Sequence, residues 1–454
     1  MKNYQDLDIE KSILSACLYS VDSAKVIFTE LSVDDFTLIE HQKIYEAMRK
    51  CLNKYSSISV ELLQNINKDV LDDIAERGAI INIHGYVKNL KELSIKRGLL
   101  NIAHQIPSYI DKDEEVEEIV NEVSSKMFAL TNTLGSKEIK KAPEVITELM
   151  EFYKERKENA NKGLLGLSTG ISELNYATKG FKKGEMIVIA ARPSMGKTTL
   201  ALNFIEHALD EGHGVVLFSL EMSAVQILQK MISSKTSIEL QKLLVGDLNN
   251  EEWVKVQEAC NLYSEKKFLV YDGGYANIQT IRSILRHQKE INKDIDLCVI
   301  DYIGLMQGSG KFTERHLQVA DISRSLKLLA RELDIPIIVL SQLNRALESR
   351  PDKRPMLSDL RESGSIEQDA DTILFVYREG VYLEKEEKNR QKEHELKHGN
   401  LDGYTAKYIP NQETDKAEII IGKNRHGNTG IVDLTFHKKH SRFSGIDNIQ
   451  EFQP

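Results

Sequence analysis

The sequence lacks any apolar run close to the roughly 20 residues that a membrane-spanning helix needs. Its first residues, MKNYQDLDIEKS, have neither the basic start nor the apolar stretch of a signal peptide. The cysteines are scattered, without the spacing of a metal or redox motif; they are Cys17, Cys51, Cys260 and Cys298. We therefore expect a cytoplasmic protein that does not bind a membrane and holds no cysteine-bound metal.

The sequence also has no excess of positive charge. The 454 residues include 60 Lys and Arg against 69 Asp and Glu, for a net charge of −9. This balance argues against a general polyanion binder. It leaves nucleic acid open as a ligand, because a few basic side chains in an enclosed channel bind a strand locally. The length favours two or three domains.

Residues 1–135 have the pattern of an almost wholly helical segment. Apolar residues recur there at helical spacing, in stripes made of Ile9, Ile13, Leu14 and Cys17, and of Ile44, Met48 and Leu52. Its histidines, including His41, are single and have no catalytic partner nearby in the sequence, so a structural role is favoured. We predict an all-α N-terminal domain that acts as a scaffold or interaction domain.

A linker follows over residues 136–164. Ala142-Pro143 begins a helix within it, since proline suits the first helical turn. Its apolar residues are Val145, Ile146, Leu149, Met150, Phe152 and Tyr153. A helix this apolar needs a surface to pack on. That surface belongs either to a neighbouring subunit or to its own domain, and the pattern favours neither.

From residue 165 to residue 454 the pattern changes to short apolar runs alternating with helical segments. The runs lie at 186–190, 215–219, 268–271, 296–300, 335–340, 372–377 and 418–422. This alternation predicts an α/β domain with a mainly parallel sheet covered on both faces. In such sheets ligands bind at the carboxyl ends of the strands.

The first apolar run leads directly into a phosphate-binding loop. The stretch MIVIAARPSMGKTTL begins at Met186 and places Gly-Lys-Thr between a strand and a helix. We expect the phosphates to lie against Ser194, Met195, Gly196, Lys197, Thr198 and Thr199. Lys197 would reach the β- and γ-phosphates and Thr198 would bind Mg²⁺. One departure from the motif is Ala191, where the pattern has glycine.

Polar residues follow three further apolar runs. Glu221 comes after VVLFS and could accept a proton from an attacking water, although capping the next helix is an equally good role. Asp301 follows LCVI and could hold the hydration shell of Mg²⁺. Gln342 follows IPIIVL and could contact the γ-phosphate, or could be an ordinary loop residue.

Two basic segments lie near the C-terminal end of this domain. The first, RALESRPDKRPMLSDLRESGSIEQDAD from Arg345 onward, carries five basic side chains and no aromatic ones, which favours contact with a nucleic-acid backbone over base stacking. The second contains Lys423 and Arg425 after the strand EIIIG. Their charge could stabilise a γ-phosphate, and in a ring they could reach the next subunit.

Taken together, these segments resemble the bacterial DnaB-type replicative helicases. The matching stretches include GLSTGISELNYATKGFKKGEMIVIAARPSMGKTTLALNF, VVLFSLEMS, LCVIDYIGLM, SQLNR, DLRESGSIEQDAD and IIIGKNRHG, and near the N-terminus DIEKSILSACL and HQKIYEAMRKCL. The resemblance covers most of the chain. It implies an all-α N-terminal domain and an α/β RecA-like C-terminal motor domain.

The resemblance also implies an activity and its partners: ATP-driven 5′–3′ movement on single-stranded DNA by a homo-hexamer, with primase and a helicase loader or other replisome proteins. Carried over by position, Glu221 activates water, Asp301 and Thr198 bind Mg²⁺, and Gln342 couples nucleotide to DNA. The DNA-binding positions are Arg361, Glu362 and Gly364. Lys423 and Arg425 match the pair that acts on a neighbour's ATP.

Two departures from the family remain. Gly304 stands where glutamine is usual, which leaves the role of that loop open. The charged stretch 379–415 is longer than a loop needs and is either a solvated helical insertion or a contact for another ring or a loader. Two other functions are also kept: a RecA-like recombination or repair ATPase, and an ATP-gated replication platform that does not translocate.

Overall fold

The computed structural model describes residues 4–63, 66–78, 82–110, 116, 119, 122–123, 126–127, 130, 142–158, 164–307, 314–360, 364–398, 400–401, 404–411 and 413–446. Chain contacts divide it into two compact units, Met1–Ile146 and Thr147–Pro454. No helix within these described ranges has the length and apolarity that a bilayer crossing requires.

The first unit is helical. Its helices are α1 Leu7–Tyr19, α2 Val21–Glu30, α3 Ile39–Tyr55, α4 Lys68–Ala75 and α5 Ile83–Ile110. Helix α1 begins where Asp6 accepts a hydrogen bond from the Ile9 amide at 3.0 Å, which satisfies one free N–H of the first turn. The predicted apolar stripes form the core: Ile13, Leu14, Cys17, Ile44 and Met48 are buried.

His41 has a structural role, but the absence of a partner was a wrong expectation. Its Nδ1 lies 2.7 Å from Glu10 Oε2, and both side chains are buried. Burial alone would raise the pKa of Glu10, but hydrogen bonds from His41 and Thr37 outweigh it and lower that pKa. The partner lies 31 residues away in sequence, so no local pattern reveals it.

The linker helix is α6, Ala142–Glu158. Its apolar side chains are exposed at Val145, Ile146, Leu149, Met150 and Tyr153. The side chain of Phe152 lies outside the described part of the chain. The helix therefore exposes a group of apolar side chains to water. The sequence analysis predicted that such a helix needs a surface to pack on.

The second unit is built on a nine-stranded sheet in the order β3-β2-β4-β5-β1-β6-β7-β8-β9. The strands are β1 Met186–Ala191, β2 Gly214–Ser219, β3 Phe268–Tyr271, β4 Ile295–Asp301, β5 Ile337–Gln342, β6 Thr372–Tyr377, β7 Thr414–Asn424, β8 Gly430–His437 and β9 Arg442–Gly445. The pairs from β3 to β6 are parallel, and those from β6 to β9 are antiparallel. The predicted α/β motor with a mainly parallel sheet is confirmed.

Strand β5 begins two residues later than the apolar run. Pro336 has no N–H to donate to a ladder, and the first paired residue is Ile337. The last two strands, β8 and the edge strand β9, were missed. Strand β8 alternates between exposed and buried residues in its second half, as an antiparallel strand with one wet face does, so it has no continuous apolar run.

Helices cover both faces of the sheet. They are α7 Ser172–Thr178, α8 Lys197–Asp210, α9 Ala224–Thr236, α10 Leu240–Val245, α11 Asn250–Glu265, α12 Ile278–Ile291, α13 Arg315–Leu333, α14 Gly364–Asp369 and α15 Glu379–His398. Along β1, Ile187 and Ile189 face one core, and Val188 and Ala190 face the other. Burial on both faces explains why the strand reads as one apolar run.

The charged insertion is helical over α15, and its first half packs on the motor. Lys385 pairs with Glu348 at 3.1 Å, and Glu384 accepts from Lys438 at 2.9 Å. Glu387 is buried and accepts a hydrogen bond from Tyr404 at 2.8 Å. Only the part of α15 beyond these contacts is the solvated helix that the charge pattern suggested, because most of its later side chains are exposed.

Candidate functional site

The phosphate-binding loop joins β1 to α8 and turns through left-handed backbone. Ser194 has φ 69° and Gly196 has φ 99°. A Cβ on Gly196 would lie 2.8 Å from the Phe443 ring, so both conformation and space require glycine there. Ala191 is the last residue of β1 and pairs with Gln342 in the sheet. The missing glycine is tolerated because this position keeps ordinary strand backbone.

Two arginines that the sequence analysis missed tie the loop to residues outside it. Arg192 donates from Nε and Nη2 to Glu348 at 2.9 and 2.8 Å. Arg378 is buried, donates to the Ser194 carbonyl at 3.2 Å and pairs with Asp415. The hydrogen bond from Arg192 is the main reason that the pKa of Glu348 is lowered. The loop is therefore fixed in shape before any ligand binds.

Lys197, Thr198 and Asp301 meet at the carboxyl end of the sheet. The Thr198 hydroxyl donates to Asp301 Oδ2 at 2.7 Å, and Lys197 Nζ lies 3.0 Å from Asp301 Oδ1. Asp301 is buried, with 1% of its surface exposed, at the end of β4. Within the described part of the chain its Oδ1 accepts no hydrogen bond of good geometry. A hydroxyl and a carboxylate side by side suit a hard cation that prefers oxygen ligands, once Lys197 turns from Asp301 Oδ1 to the phosphates.

Glu221 lies at the same edge of the sheet. Strand β2 ends at Ser219, which pairs with Asp301 in register, and Glu221 follows two residues later with an exposed side chain. A further residue, Lys230 on α9, was missed. Burial lowers the pKa of Lys230, while Asp301 and Glu221 act in the opposite direction. The acidic pair thus has a lysine within electrostatic reach.

Gln342 ends β5 and lines a cavity of about 210 Å³ together with Tyr302, Gly304, Arg315 and Ile366. The next residue, Leu343, donates to the Ala191 carbonyl at 3.1 Å and forms a bridge with Leu360. Gln342 is therefore placed between the phosphate-binding loop and the segment that leads to the predicted DNA contacts. On the opposite wall, a Cβ at position 304 would lie 2.5 Å from the Tyr302 ring, so glycine suits the turn there.

The predicted DNA-binding residues are only partly visible. Arg361 and Glu362 lie outside the described residues, and Gly364 is the first residue of α14. Most basic residues just before them are engaged in ion pairs: Arg350 with Asp359, Lys353 with Glu386, and Arg354 with Glu418. Their assignment as free phosphate contacts does not fit this arrangement. Arg345 remains exposed.

Lys423 and Arg425 lie at the opposite end of the sheet from Lys197. Strand β7 pairs Lys423 with Ile373 at the beginning of β6, which is the amino end of the parallel strands. Arg425 Nη1 lies 3.3 Å from Asp371 Oδ1, and Asp371 also accepts from the amide of Met186, the first residue of β1. Because β1 has 6 residues, the two ends are separated by about 20 Å. The chain does not bring these cations to its own phosphate-binding loop.

A strand that ends in a phosphate-binding loop, next to a strand that ends in a buried aspartate, defines a P-loop nucleotide hydrolase of RecA-like fold. Family models agree with this class. The DnaB-like helicase C terminal domain matches residues 166–445, and the DnaB-like helicase N terminal domain matches residues 2–95. The chain therefore belongs to the DnaB-like replicative helicases, and it is an ATP-dependent DNA helicase.

Curated relatives are similar over nearly their whole length. The replicative DNA helicase DnaB of Helicobacter pylori strain 26695 is 36% identical, over 98% of this chain and 95% of that protein. The replicative DNA helicase DnaC of Bacillus subtilis strain 168 is 33% identical, over 98% and 95%. The alternative functions in recombination and as a platform are not favoured, because helicase models match both the helical region and the motor.

Solved structures agree. A DnaB-like replicative helicase, described together with its interactions with primase, superposes with a TM-score of 0.71 at 29% identity, covering 97% of this chain and 100% of that chain. A second solved structure, an isolated ATPase domain, superposes with a TM-score of 0.58 at 36% identity, covering 66% of this chain and 99% of that chain.

Proposed function

We propose that this chain hydrolyses ATP at the carboxyl end of its own sheet and completes that site with a neighbour's cations. The observation that supports this proposal is that the predicted catalytic residues lie in two separate places on the chain. Lys197, Thr198 and Asp301 share one cluster, whereas Arg425 lies at the other end of β1, about 20 Å away. One chain thus holds two half-sites that face different partners.

In this proposal Lys197 and the loop amides from Ser194 to Thr199 hold the phosphates. Thr198 and Asp301 hold Mg²⁺, which neutralises phosphate charge when bound. Lys197 and Thr198 then exchange their contacts with Asp301 for contacts with the ligand. Glu221 accepts the proton of the attacking water, since its exposed carboxylate follows the strand beside Asp301. Lys423 and Arg425 of the next subunit stabilise the charge on the γ-phosphate.

Assembly into a homo-hexameric ring follows from the same division. The exposed apolar face of α6 is the segment that a neighbour would cover. The motor unit also exposes apolar side chains on α10 and α11, namely Leu244, Val245, Trp253 and Val254. Burial of such surfaces is the main driving force of stable association. Trp253 is the only tryptophan of the chain, so its emission should shift to shorter wavelength as rings form.

Single-stranded DNA would pass through the ring along the loop that leads into α14, with Arg361, Glu362 and Gly364 contacting its backbone and Gln342 reporting nucleotide state to it. Hydrolysis would change one subunit interface at a time and move each loop along the strand in the 5′–3′ direction. Primase and a helicase loader or other replisome proteins are the proposed partners. The cytoplasm is the proposed location, where chromosomal DNA of a bacterial cell is accessible.

The test is unwinding of a forked duplex with ATP, using substrates that carry only a 5′ or only a 3′ tail beside the fork. The wild-type protein is expected to displace the strand only when the 5′ tail is present. Lys197→Ala removes the ammonium that holds the phosphates and should abolish displacement while rings still form. Lys183→Ala is a matched control, because Lys183 precedes β1 at its amino end.

Displacement that needs the 3′ tail would contradict the proposed polarity. ATP hydrolysis without displacement on any substrate, with rings present by sedimentation, would contradict the proposed translocation. Loss of the Trp253 emission shift in a Met150→Glu variant, but not in a Lys154→Glu variant of the same helix, would support α6 as the docking segment.

A further inference from the structure

Lys423 and Arg425 rest on oxygens from one short segment of the chain. Arg425 Nη1 lies 3.3 Å from Asp371 Oδ1, its backbone N–H donates to the Asp371 carbonyl at 2.9 Å, and its Nη2 donates to the Gln368 carbonyl. Lys423 Nζ donates to the Glu367 carbonyl and, at 3.4 Å, to that of Gln368. These contacts account for the position of both cations.

The accepting carbonyls belong to the C-terminal end of α14. The last carbonyls of a helix have no intrahelical donor, so they are available to cations, and the helix dipole favours positive charge there. Helix α14 begins at Gly364, itself one of the proposed DNA contacts, and its Ile366 is buried beside the cavity of Gln342. At 6 residues it is about 9 Å long. One short rigid element therefore joins the proposed strand-binding loop to the two cations.

Asp371 fixes the other side of Arg425. It is buried, with 3% of its surface exposed, and its Oδ2 accepts from the Met186 amide at 2.8 Å and from Lys327 at 2.6 Å. A carboxylate held by two donors on one oxygen has little freedom, so its Oδ1 is a fixed anchor. The Arg425 side chain nevertheless keeps 44% of its surface exposed, which leaves its outer side open to a neighbour.

We propose that Asp371 is a positioning residue for the trans-acting cations, and that the Glu367 and Gln368 carbonyls complete a socket that moves with α14. The inference rests on the proposed function, because it takes Arg425 to act on the neighbour's nucleotide. A DNA strand held at the start of α14 and a cation held at its end then move together. Binding of DNA thereby adjusts how far Arg425 reaches across the interface.

The main test uses Asp371→Asn, which keeps size and still accepts from Met186 but removes the charge that holds Arg425. The kcat for ATP is expected to fall about tenfold, as on loss of a charge-assisted hydrogen bond. KM for ATP should stay the same, because the phosphate-binding loop is about 20 Å away.

Mixed rings separate a misplaced cation from a damaged fold. Lys197→Ala subunits have a dead nucleotide site but intact cations, whereas Asp371→Asn subunits have the reverse. An equimolar mixture of the two should hydrolyse ATP faster than the mean of the separate proteins, since some interfaces then combine the intact nucleotide site of an Asp371→Asn subunit with the placed cations of a Lys197→Ala subunit. A mixture of Asp371→Asn with Arg425→Ala should show no gain, because both lack a placed cation.

The positive control is the mixture of Arg425→Ala with Lys197→Ala. If this control gains activity and the Asp371→Asn mixture does not, the socket is wrong and the proposed function stands. If neither mixture gains activity, action in trans is wrong and the socket falls with it. Normal kcat in Asp371→Asn alone would also overturn the inference.

Two variants guard against a folding defect. Lys327→Met removes the other cation that contacts Asp371. The kcat should stay within about twofold, since the Met186 amide still holds Asp371 and Arg425 keeps its anchor. A tenfold loss in this variant would mean a general structural effect and would overturn the inference. If Asp371→Asn fails to assemble, the double variant with Lys327→Met leaves no lone buried charge and enters the same mixtures.

The coupling through α14 has its own readout. The Ser323 hydroxyl donates to Asp369 at 2.8 Å and ties the end of α14 to α13. Ser323→Ala loosens that tie without touching the socket oxygens. We expect turnover without DNA to be unchanged and the stimulation by single-stranded DNA to fall about threefold. Unchanged stimulation would overturn the coupling.

Discussion

The two ends of the parallel sheet carry similar pairs with opposite exposure. At the carboxyl end Lys197 is paired with Asp301, and the two side chains are 13% and 1% exposed. At the amino end Arg425 is paired with Asp371, and they are 44% and 5% exposed. Each aspartate is buried and fixed, but only one of the two cations is enclosed by its own chain. The difference fits the proposal that Lys197 acts on the chain's own ligand and Arg425 on a neighbour's.

The largest expected effect is at the enclosed pair. Asp301→Asn removes the charge proposed to hold Mg²⁺, and kcat for ATP should fall by about a thousandfold. Steady-state hydrolysis across a Mg²⁺ titration measures it. Asp296→Asn is the matched control on the same strand, because Asp296 pairs with His213 at the amino end. Equal losses in both variants would show that the carboxyl end has no special role.

The exposed pair should give a smaller loss with a different signature. Arg425→Ala is expected to lower kcat about a hundredfold, as on loss of one group that stabilises developing charge, and to leave ATP binding intact, since its own phosphate loop is untouched. Doped into wild-type rings, it should inhibit more steeply than its mole fraction. His426→Ala, on the same turn, is the control, and mixing it into wild-type rings should leave their hydrolysis of ATP unchanged. Strictly proportional inhibition by Arg425→Ala would argue against action in trans.

Gln342 lies at the carboxyl end, next to the segment that leads to α14, and tests whether the two ends communicate. Gln342→Ala leaves Lys197, Asp301 and Arg425 in place, so hydrolysis without DNA should change by less than about threefold. Stimulation by single-stranded DNA should fall about tenfold. The control is Asn344→Ala, an amide two residues further on. A loss of basal hydrolysis larger than the loss of stimulation would place Gln342 in the chemistry itself.

The last effect is on stability and not on turnover, and it concerns an acid behind the phosphate-loop helix. Glu206 on α8 accepts from Ser234 at 2.8 Å and from Tyr263 at 3.3 Å. Burial raises the pKa of Glu206 from 4.5 to about 7, although those hydrogen bonds oppose the rise. The folded state therefore holds a proton that the unfolded chain releases. This contribution to stability is full below pH 4.5 and is lost as pH rises to about 7.

Glu206→Gln should remove that loss. The variant is expected to gain about 3 kcal/mol of unfolding free energy over the wild type near pH 8, and about 1 kcal/mol near pH 5.5. Urea titrations followed by Trp253 emission measure it, since α11 belongs to the same unit. The matched control is Glu211→Gln at the end of the same helix, whose side chain is exposed. An equal gain at both pH values would contradict the raised pKa.

Strand-end residues were the part of the site that the sequence could predict. Apolar runs long enough to be buried on both faces locate the strands, and parallel strands bring their carboxyl ends together. Asp301 and Gln342 could therefore be grouped with Lys197 before any coordinates were known. The fold class was predictable for the same reason.

The supporting contacts were not predictable, because their partners are distant in sequence or are backbone atoms. Arg192 and Glu348 are 156 residues apart, and neither stands in a pattern that points to the other. The Gln368 carbonyl that holds Arg425 has no side-chain signature at all. Lys230 resembles any helix residue until α9 is placed beside Glu221. Such contacts depend on tertiary packing, which local periodicity does not encode.

The separation of Lys197 from Arg425 along β1 also has a consequence for ATP hydrolysis by subunits outside a ring. On the proposed function, a free subunit binds ATP but cannot hydrolyse it, since Lys423 and Arg425 that complete its site belong to a neighbour. A ring that opens at one interface silences the site at the gap and keeps the others running. On this proposal, the length of a single six-residue strand makes hydrolysis at each site depend on contact with a neighbour and limits turnover by free subunits.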